Sequence, residues 1–372
     1  MDKLKVGITG VDGFIGSHLR DRLTREEEIS LVPFEDSFFE EPDRIKAFLS
    51  NANVVVHLAA INRGEPDELY NTNVALVTKL VSHMEELKVK PHVIFSSSIQ
   101  NVLDNPYGLS KKEGERILEN WSKRNNAPVT ILVIPNVYGD RCRPHYNSVV
   151  ATFCYELTHG GKPEIHIDKE LELIYVNELV EIIWDKIRSD RHGFRACTVK
   201  GTAKAKVSKL LDILLKFKEF YIEKHIVPNL ETRLAQNLYN VFLSYLDYPA
   251  YQQKPRIHSD DRGILFEIVK QEEAGQIFYS TTKPGVVRGN HYHTRKVEKF
   301  CVVQGDAIIR LRRIGTNRII EYRVSEREPG VVEIPIFHTH NIENIGEGYL
   351  HTLFWANELY DPEDSDTYYE KV

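Results

Sequence analysis

Cysteines are scarce in this sequence, and apolar runs of membrane-spanning length are absent. The four cysteines are scattered, with no CxxC pair: Cys142, Cys154, Cys197 and Cys301. This spacing favours reduced thiols over disulfides or a zinc ribbon. No apolar stretch approaches the roughly eighteen residues that a membrane-spanning helix needs, and the N-terminal "MDKLKVGITG" has no apolar signal core. We therefore expect a cytoplasmic protein that does not cross a membrane.

The chain also has no excess of basic residues. It contains 48 Lys and Arg against 54 Asp and Glu, which gives a formal net charge of −6 at pH 7. General nucleic-acid binders carry a basic surface that dominates the charge balance, so nucleic acid is not an expected partner. A length of 372 residues with 42% hydrophobic and 27% charged residues predicts a globular protein of two or three domains.

The hydrophobic pattern changes twice along the chain. From residue 4 to about 140, short apolar runs alternate with helical patterns, which is typical of strands buried on both faces of a parallel sheet. Helical spacing dominates from about 141 to 250, and period-two runs with frequent Gly and Pro follow. We predict an α/β plus all-β protein. Residues 1–250 form a Rossmann-type, doubly wound parallel sheet with a helical substrate-binding part, and residues 251–372 form a β-barrel.

A glycine-rich turn follows the first predicted strand. Gly10, Gly13 and Gly16 stand three apart where this strand meets a helix. Small residues there let the backbone approach a pyrophosphate, and the helix N-terminus supplies free N–H groups. The turn is therefore a candidate dinucleotide site. Glu35 and Asp36, about twenty residues further on, favour NAD, because acids at this position accept hydrogen bonds from the ribose hydroxyls.

A tyrosine and a lysine stand four residues apart at the start of a predicted helix. Tyr107 and Lys111 therefore share one helix face, and they follow the strand "VIFSSS", which ends in hydroxyls. A lysine ammonium beside a phenol lowers the phenol pKa, so the tyrosine can exchange a proton with a carbonyl during hydride transfer. The pair therefore indicates a carbonyl-reducing site.

Together with "VVVHLAA", Asn73 and "PNVYG", these features resemble the extended short-chain dehydrogenase/reductase family. The resemblance implies that Tyr107 is the acid/base and that Lys111 activates it and binds the ribose. It also implies a serine as the second hydroxyl donor. Ser98 fits best, while Ser97 stays an alternative because only nine residues separate Ser98 from the tyrosine.

The same resemblance assigns the remaining contacts of this half. Asn136 and Tyr138 in "PNVYG" are candidate substrate contacts, and a plain strand-to-turn signal is the alternative for this stretch. We interpret His57, inside a buried strand, as a structural residue. The expected cofactor contacts are Gly10, Asp12, Gly13, Phe14, Ile15, Gly16, Leu58, Ala59, Ala60, Asn73, Tyr107 and Lys111.

Three histidines and a glutamate of the predicted barrel form a second candidate site. His291 and His293 alternate on a strand and therefore face one interior, and Glu298 and His340 follow. Their spacing resembles both motifs of the cupin family, except that Phe337 replaces the usual glycine of the second motif. Three imidazoles and a carboxylate suit zinc, iron, manganese or nickel. Histidines that act without metal, or only fill the barrel, are the alternative.

The stretch "HSDDRGILFEIV" resembles the entry strand of deoxysugar-nucleotide 3-epimerases. Its Arg262 suits a diphosphate, because a planar guanidinium binds phosphate oxygens in pairs. Lys296, Lys299 and His338 are candidates for the base that removes a proton, and Lys296 is open to activation by desolvation and a nearby cation. For each lysine, a solvated loop charge is the alternative.

The order of the two halves, reductase first and cupin last, resembles the bifunctional enzymes of capsular polysaccharide biosynthesis. That resemblance implies C3 epimerisation of a UDP-2-acetamido-2,6-dideoxy-4-hexulose and reduction of its C4 ketone with NADPH. The implied product is UDP-N-acetyl-6-deoxytalosamine, a precursor of UDP-N-acetyl-L-fucosamine. NADPH rather than NADH, one Zn²⁺ per cupin domain and a homodimer are implied as well.

Two other functions of the cupin half stay open. One is a metal-dependent oxygenase, since three histidines and a glutamate also serve iron or nickel. The other is a non-catalytic sugar-binding module attached to a plain reductase. Oxygen uptake with the keto sugar would support the first, and failure of the cupin half to exchange C3 protons would support the second.

Overall fold

A computed structural model of the protein describes residues 3–189, 192–247 and 254–372. The chain divides into two units, Met1–Leu214 with Gln236–Leu246 and Leu215–Ala235 with Asp247–Val372. The predicted border at residue 250 lies outside the described residues and stays a prediction. Within the second unit, Val227 forms a parallel bridge to Gln271, so a segment that we expected in the helical substrate-binding part belongs with the β-rich unit.

The first unit is built on a six-stranded sheet in which every pairing is parallel. In spatial order its strands are β2 (Ile29–Val32), β1 (Leu4–Thr9), β3 (Val54–His57), β4 (His92–Ser98), β5 (Val129–Ile134) and β8 (Phe194–Thr198). All four residues of β3 are buried, as a strand covered on both faces requires. A smaller sheet joins β6 (Asn136–Tyr138), β7 (Glu170–Tyr175) and β9 (Ala203–Lys206).

Helices follow the strands of the first unit. They are α1 (Phe14–Leu23), α2 (Pro42–Asn51), α3 (Pro66–Leu87), α4 (Pro106–Asn125), α5 (Val149–Thr158), α6 (Val176–Arg188), α7 (Val207–Phe217) and α8 (Arg233–Ser244), and the last two extend into the second unit. Short 3₁₀ segments cover Asp36–Glu40 and Ile99–Val102, and a π-helical turn covers Lys218–Glu223. Phe48, Leu80 and Trp121 belong to the apolar core that packs α2, α3 and α4 against the sheet.

Helix α4 carries the predicted catalytic pair, and local sequence explains where it begins. The Asn105 side chain accepts a hydrogen bond of 2.8 Å from the Gly108 amide, and Pro106 occupies the first helical turn. A Cβ at Gly108 would lie 2.1 Å from the Gln100 carbonyl oxygen. The glycine therefore allows α4 to start directly against the turn that ends β4.

The second unit contains two antiparallel sheets. The first contains β10 (His258–Asp260), β11 (Gly263–Gln271), β12 (Gly275–Thr282), β19 (Leu350–Ala356), β14 (Glu298–Gln304) and β17 (Val331–Ile334). The second contains β16 (Ile319–Ser325), β15 (Asp306–Arg313), β18 (His338–Asn344), β13 (Val287–Tyr292) and β20 (Tyr368–Tyr369). Phe300, Ile309 and Ile342 belong to their apolar core. The predicted fold class is confirmed, and none of the described helices is long and apolar enough to cross a membrane.

Candidate functional site

Two glycines of the turn between β1 and α1 have no room for a side chain. A Cβ at Gly16 would lie 2.1 Å from the Gly10 carbonyl oxygen, and Gly10 itself has a φ of +67°. Gly13 caps α1, and its N–H donates to the same carbonyl at 3.1 Å. A turn this tight lets a phosphate approach the backbone N–H groups at the start of a helix. These residues therefore fit a dinucleotide cofactor.

The other predicted cofactor contacts differ in their internal hydrogen bonds. Asn73 donates to the carbonyl of Ile61 at 3.0 Å and to the Ser110 hydroxyl at 3.2 Å, so it ties the loop after β3 to α4. Asp12 is exposed, and its carboxylate lies 2.7 Å from Arg20. The remaining contacts are partly exposed: Phe14 and Ile15 lie in the first turn of α1, and Leu58, Ala59 and Ala60 directly follow β3.

The predicted catalytic pair lies on the first two turns of α4. Lys111 is buried, its Nζ donates to the Ser96 carbonyl at 2.8 Å, and it lies 5.5 Å from the ring centre of Tyr107. Burial lowers the pKa of Lys111 to about 8. Burial, followed by the nearby Tyr146, raises the pKa of Tyr107 to about 12, so the expected lowering by the lysine is not found. Tyr107 is therefore protonated at neutral pH and ready to donate its proton.

The two candidate serines have different partners. Ser97 is buried and its hydroxyl donates to the Glu115 carboxylate, whereas Ser98 accepts from the Gln100 amide at 3.2 Å and is partly exposed. Because the Ser98 hydroxyl accepts a hydrogen bond here, it can still donate its own proton to a substrate oxygen. This geometry therefore favours Ser98 as the second hydroxyl donor. Asn136 donates to a backbone carbonyl of β7 at 3.0 Å, which links it to the smaller sheet.

His57 is buried in β3 and takes no part in the predicted chemistry. Its Nδ1 lies 2.7 Å from the Thr9 hydroxyl, and its ring stacks on Phe95 with 5.7 Å between ring centres. Burial, followed by the charge of Lys111, lowers the pKa of His57 to about 3. The structural interpretation is therefore favoured.

This buried histidine predicts a pH-dependent stability. Between about pH 6.5, the ordinary pKa of histidine, and the folded pKa of about 3, His57 is protonated in the unfolded chain but not in the folded protein. Lowering the pH through this range therefore lowers the free energy of unfolding of the first unit by at most about 1.4 kcal/mol per pH unit. We expect His57→Gln to remove this contribution, while His159→Gln, at an exposed position, should not. Hydrogen exchange of the β3 and β4 amides at about pH 7 and pH 5 measures it. Equal pH dependence in wild type and His57→Gln would contradict the prediction.

Four side chains converge inside the β-rich unit. One ligand atom from each of His291, His293, Glu298 and His340 lies within 4.8 Å of the others. The Nε2 atoms of His293 and His340 lie 3.3 and 3.2 Å from Oε2 of Glu298. These three buried atoms have no hydrogen-bond partner in the described part of the chain. Buried polar atoms that face one another in this way fit a divalent cation.

The neutral state of His291, the charge of Glu298 and the orientation of His293 also suit a metal. Burial, followed by His340, lowers the pKa of His291 to about 4, which keeps this imidazole neutral. Burial opposes the charge of Glu298, but the adjacent His293 and His340 imidazoles outweigh it and lower the pKa of that carboxyl. Nδ1 of His293 lies 2.6 Å from the Asp366 carbonyl oxygen, so its Nε2 is directed at the other ligands.

A cavity of about 500 Å³ adjoins these four side chains. Lys296 lines it, is buried, and donates from Nζ to the Ser365 carbonyl. Among the described residues, neither Lys299 nor His338 lines this cavity: Lys299 pairs with Glu333 at 2.5 Å, and His338 bonds a neighbouring carbonyl at 2.9 Å. Of the three candidate bases, the geometry favours Lys296.

The cavity also contains an arginine that sequence reasoning missed. Arg288 and Arg262 both line it, and both guanidinium groups approach the Asp260 carboxylate, at 3.5 and 2.5 Å. The Arg288 side chain is only 14% exposed, and its Nε has no hydrogen-bond partner in the described ranges. Strict alternation of side chains along β13 would place Arg288 and His291 on opposite faces of the sheet. A bulge between Gly289 and His291 interrupts the alternation, so both side chains line the cavity. No sequence pattern had indicated the bulge.

Each half of the chain matches a known family model. Residues 6–195 match the NAD dependent epimerase/dehydratase family, and residues 258–368 match the polysaccharide biosynthesis C-terminal domain. The chain is 32% identical over 369 residues to the UDP-2-acetamido-2,6-beta-L-arabino-hexul-4-ose reductase of Pseudomonas aeruginosa, covering 98% of both chains.

Solved structures agree with these matches. The capsular polysaccharide assembling protein CapF from Staphylococcus aureus has a TM-score of 0.87 and 35% identity, over 99% of this chain and 100% of that one. UDP-N-acetylglucosamine 4-epimerase from Methanobrevibacter ruminantium, with a TM-score of 0.55 and 20% identity over 66% of this chain and 99% of that one, shares the fold of part of the chain. The protein thus belongs to the NAD dependent epimerase/dehydratase family and has the two-part architecture of CapF.

Proposed function

We propose that this protein is a bifunctional sugar-nucleotide enzyme of capsule biosynthesis. It epimerises C3 of a UDP-2-acetamido-2,6-dideoxy-4-hexulose in the β-rich unit and reduces C4 in the first unit. The product is UDP-N-acetyl-6-deoxytalosamine, the precursor of UDP-N-acetyl-L-fucosamine. One observation carries the proposal: the same chain contains a glycine turn that fits a dinucleotide, a Tyr–Lys pair that follows it in the sequence, and a cavity with three histidines and a glutamate. Similarity to the P. aeruginosa reductase along the whole chain supports it.

The first step is proton transfer at C3. The adjacent C4 ketone acidifies this proton, so a base can remove it while the electron pair moves onto the ketone oxygen. Return of a proton to the opposite face of C3 completes the inversion. Lys296 is the candidate base, and Arg262 and Arg288, which line the same cavity, are the candidates for binding the diphosphate. A Zn²⁺ held by the three histidines and Glu298 would supply positive charge for the enolate oxygen.

The second step is reduction of C4. A bound nicotinamide cofactor supplies the hydride. Tyr107 donates its proton to the ketone oxygen as the C–H bond forms, and the Ser98 hydroxyl donates a hydrogen bond to the same oxygen. The positive charge of Lys111 stabilises the phenolate that Tyr107 becomes, and Lys111 also binds the ribose. We propose NADPH as the donor, Zn²⁺ as the metal, a homodimer as the assembly and the cytoplasm as the location.

Product analysis tests this function. The full-length protein with Zn²⁺, the UDP-linked 4-keto sugar and NADPH should yield the talo-configured product by NMR, with one NADPH oxidised per sugar. NADH in place of NADPH tests the cofactor assignment separately. A product reduced at C4 with unchanged C3 would leave a plain reductase, and oxygen consumption that depends on the sugar would favour an oxygenase.

A further inference from the structure

The residues that follow the last long strand of the β-rich unit run back to the His₃Glu site. In β20, Tyr369 pairs with the ligand His291 and Tyr368 pairs with Tyr292. Just before β20, Asp366 is 4% exposed and has a left-handed φ of +43°. This conformation is unfavourable for most residues with a side chain and acceptable for Asp, Asn or Gly. Its neighbours explain why it is held there.

The Asp366 carboxylate accepts several hydrogen bonds from one turn of the chain, Thr294–Lys296. It accepts from the amides of Thr294, Arg295 and Lys296 at 3.0, 2.9 and 2.9 Å, and from the Thr294 hydroxyl at 2.6 Å. This turn connects the ligand His293 with the ligand Glu298. One buried side chain thereby fixes the backbone between two of the four ligands. Hydrogen bonds to a charged acceptor are stronger than those between neutral groups.

The backbone of the same residue contacts a ligand directly. The Asp366 carbonyl oxygen lies 2.6 Å from Nδ1 of His293, so that nitrogen carries the proton and Nε2 keeps its lone pair for the shared site. The left-handed φ turns the residue so that its carbonyl reaches the imidazole while its carboxylate reaches the turn. Both contacts therefore depend on one conformation of one residue.

We propose that Asp366 is the positioning residue of the His₃Glu site. Its carbonyl sets the tautomer and ring orientation of His293, and its carboxylate holds the Thr294–Lys296 turn that spaces His293 from Glu298. Asp366 acts through these ligands and does not itself touch substrate. The inference rests on the proposed function, because it needs the site to bind a metal.

Substitutions can separate the carboxylate from the backbone conformation. Asp366→Gly keeps access to the left-handed φ and removes the carboxylate, whereas Asp366→Asn keeps the size but presents N–H donors to a turn that also donates. Thr294→Val removes only one of the donors. Asp364→Asn is the matched control, because Asp364 is 66% exposed and pairs with Arg295 on the surface at 2.8 Å.

The experiment titrates full-length protein with Zn²⁺ and Co²⁺ in competition with a chromophoric chelator and records the Co²⁺ ligand-field spectrum. Asp366→Gly and Asp366→Asn should bind metal about 10- to 100-fold more weakly with an altered Co²⁺ spectrum, the range typical for loss of an outer-shell partner. Thr294→Val should lose less affinity, and Asp364→Asn should stay within about twofold of wild type.

Thermal unfolding with Zn²⁺ and with chelator separates positioning from general destabilisation. A positioning role shrinks the zinc-induced rise in Tm, whereas a purely structural role lowers both transitions equally. Wild-type affinity and spectrum in both Asp366 variants, or an unchanged zinc-induced rise, would overturn the proposal. If an Asp366 variant does not fold, the metal affinity and zinc-induced rise in Tm of Thr294→Val test the proposal instead, and wild-type values for both would overturn it. Failure of the wild type to bind Zn²⁺ or Co²⁺ would instead remove the metal from the proposed function.

Discussion

Tyr107→Phe should stop reduction of the keto sugar while leaving NADPH bound. The Tyr107 phenol is the proposed proton donor to the C4 oxygen, and its pKa of about 12 keeps it protonated at neutral pH. Loss of a positioned general acid typically costs about 10²- to 10⁴-fold in rate. We expect sugar-dependent NADPH oxidation to fall by that factor, with cofactor affinity nearly unchanged.

The control for this variant is Tyr155→Phe, which removes a hydroxyl from an exposed tyrosine of α5 that is 37% exposed. It should reduce the sugar at the wild-type rate. A Tyr107→Phe protein that still oxidises NADPH in proportion to the sugar reduced would contradict the assignment of the proton donor. Fluorescence titration with NADPH shows whether a loss of rate comes from chemistry or from cofactor binding.

His340→Ala should remove the metal from the β-rich unit and abolish C3 exchange. His340 is fully buried, and its Nε2 lies 3.2 Å from the Glu298 carboxylate, whose charge would lose one of its two histidine partners. Loss of a ligand should weaken Zn²⁺ binding by more than the roughly 10- to 100-fold that an outer-shell change costs. Metal analysis after dialysis, together with the rate of deuterium entry at C3, measures both effects.

The matched control is His351→Ala, on β19, where the imidazole bonds the Tyr279 hydroxyl and lies outside the described cavity lining. It should retain metal and C3 exchange. NADPH binding should be unaffected in both variants, since the cofactor turn belongs to the other unit. Retention of zinc and of C3 exchange by His340→Ala would contradict the ligand assignment.

Sequence periodicity predicted the part of the fold that depends on local rules. The parallel sheet, the glycine turn and the Tyr–Lys spacing each follow from short-range geometry, and so does the alternation of His291 with His293. The position of Leu215–Ala235 could not be predicted in this way. Its amphipathic pattern fits any apolar partner, and its bridge to Gln271 connects residues that lie far apart in the sequence.

The surroundings of the His₃Glu site were predicted less well than its ligands. Asp366 lies about seventy residues beyond the turn it holds, and no motif connects the two. Phe337 replaces a glycine of the cupin motif but retains a left-handed φ of +56°, because its amide is held by the His293 carbonyl at 2.8 Å. The pKa of Tyr107 depends on burial, which spacing along a helix does not reveal.

We propose that the β-rich unit moves a proton at C3 before the first unit reduces C4. Full-length Tyr107→Phe is the best protein for testing this order of steps. Because the variant should not reduce the keto sugar, reduction does not obscure deuterium exchange at C3. The full-length chain also keeps Leu215–Ala235 in the β-rich unit. The variant is incubated with the UDP-linked 4-keto sugar in D₂O without oxygen, and deuterium at C3 is followed by NMR. We predict exchange that is lost in Tyr107→Phe/His340→Ala. Equal exchange in both proteins, or none in zinc-loaded Tyr107→Phe, would contradict the account.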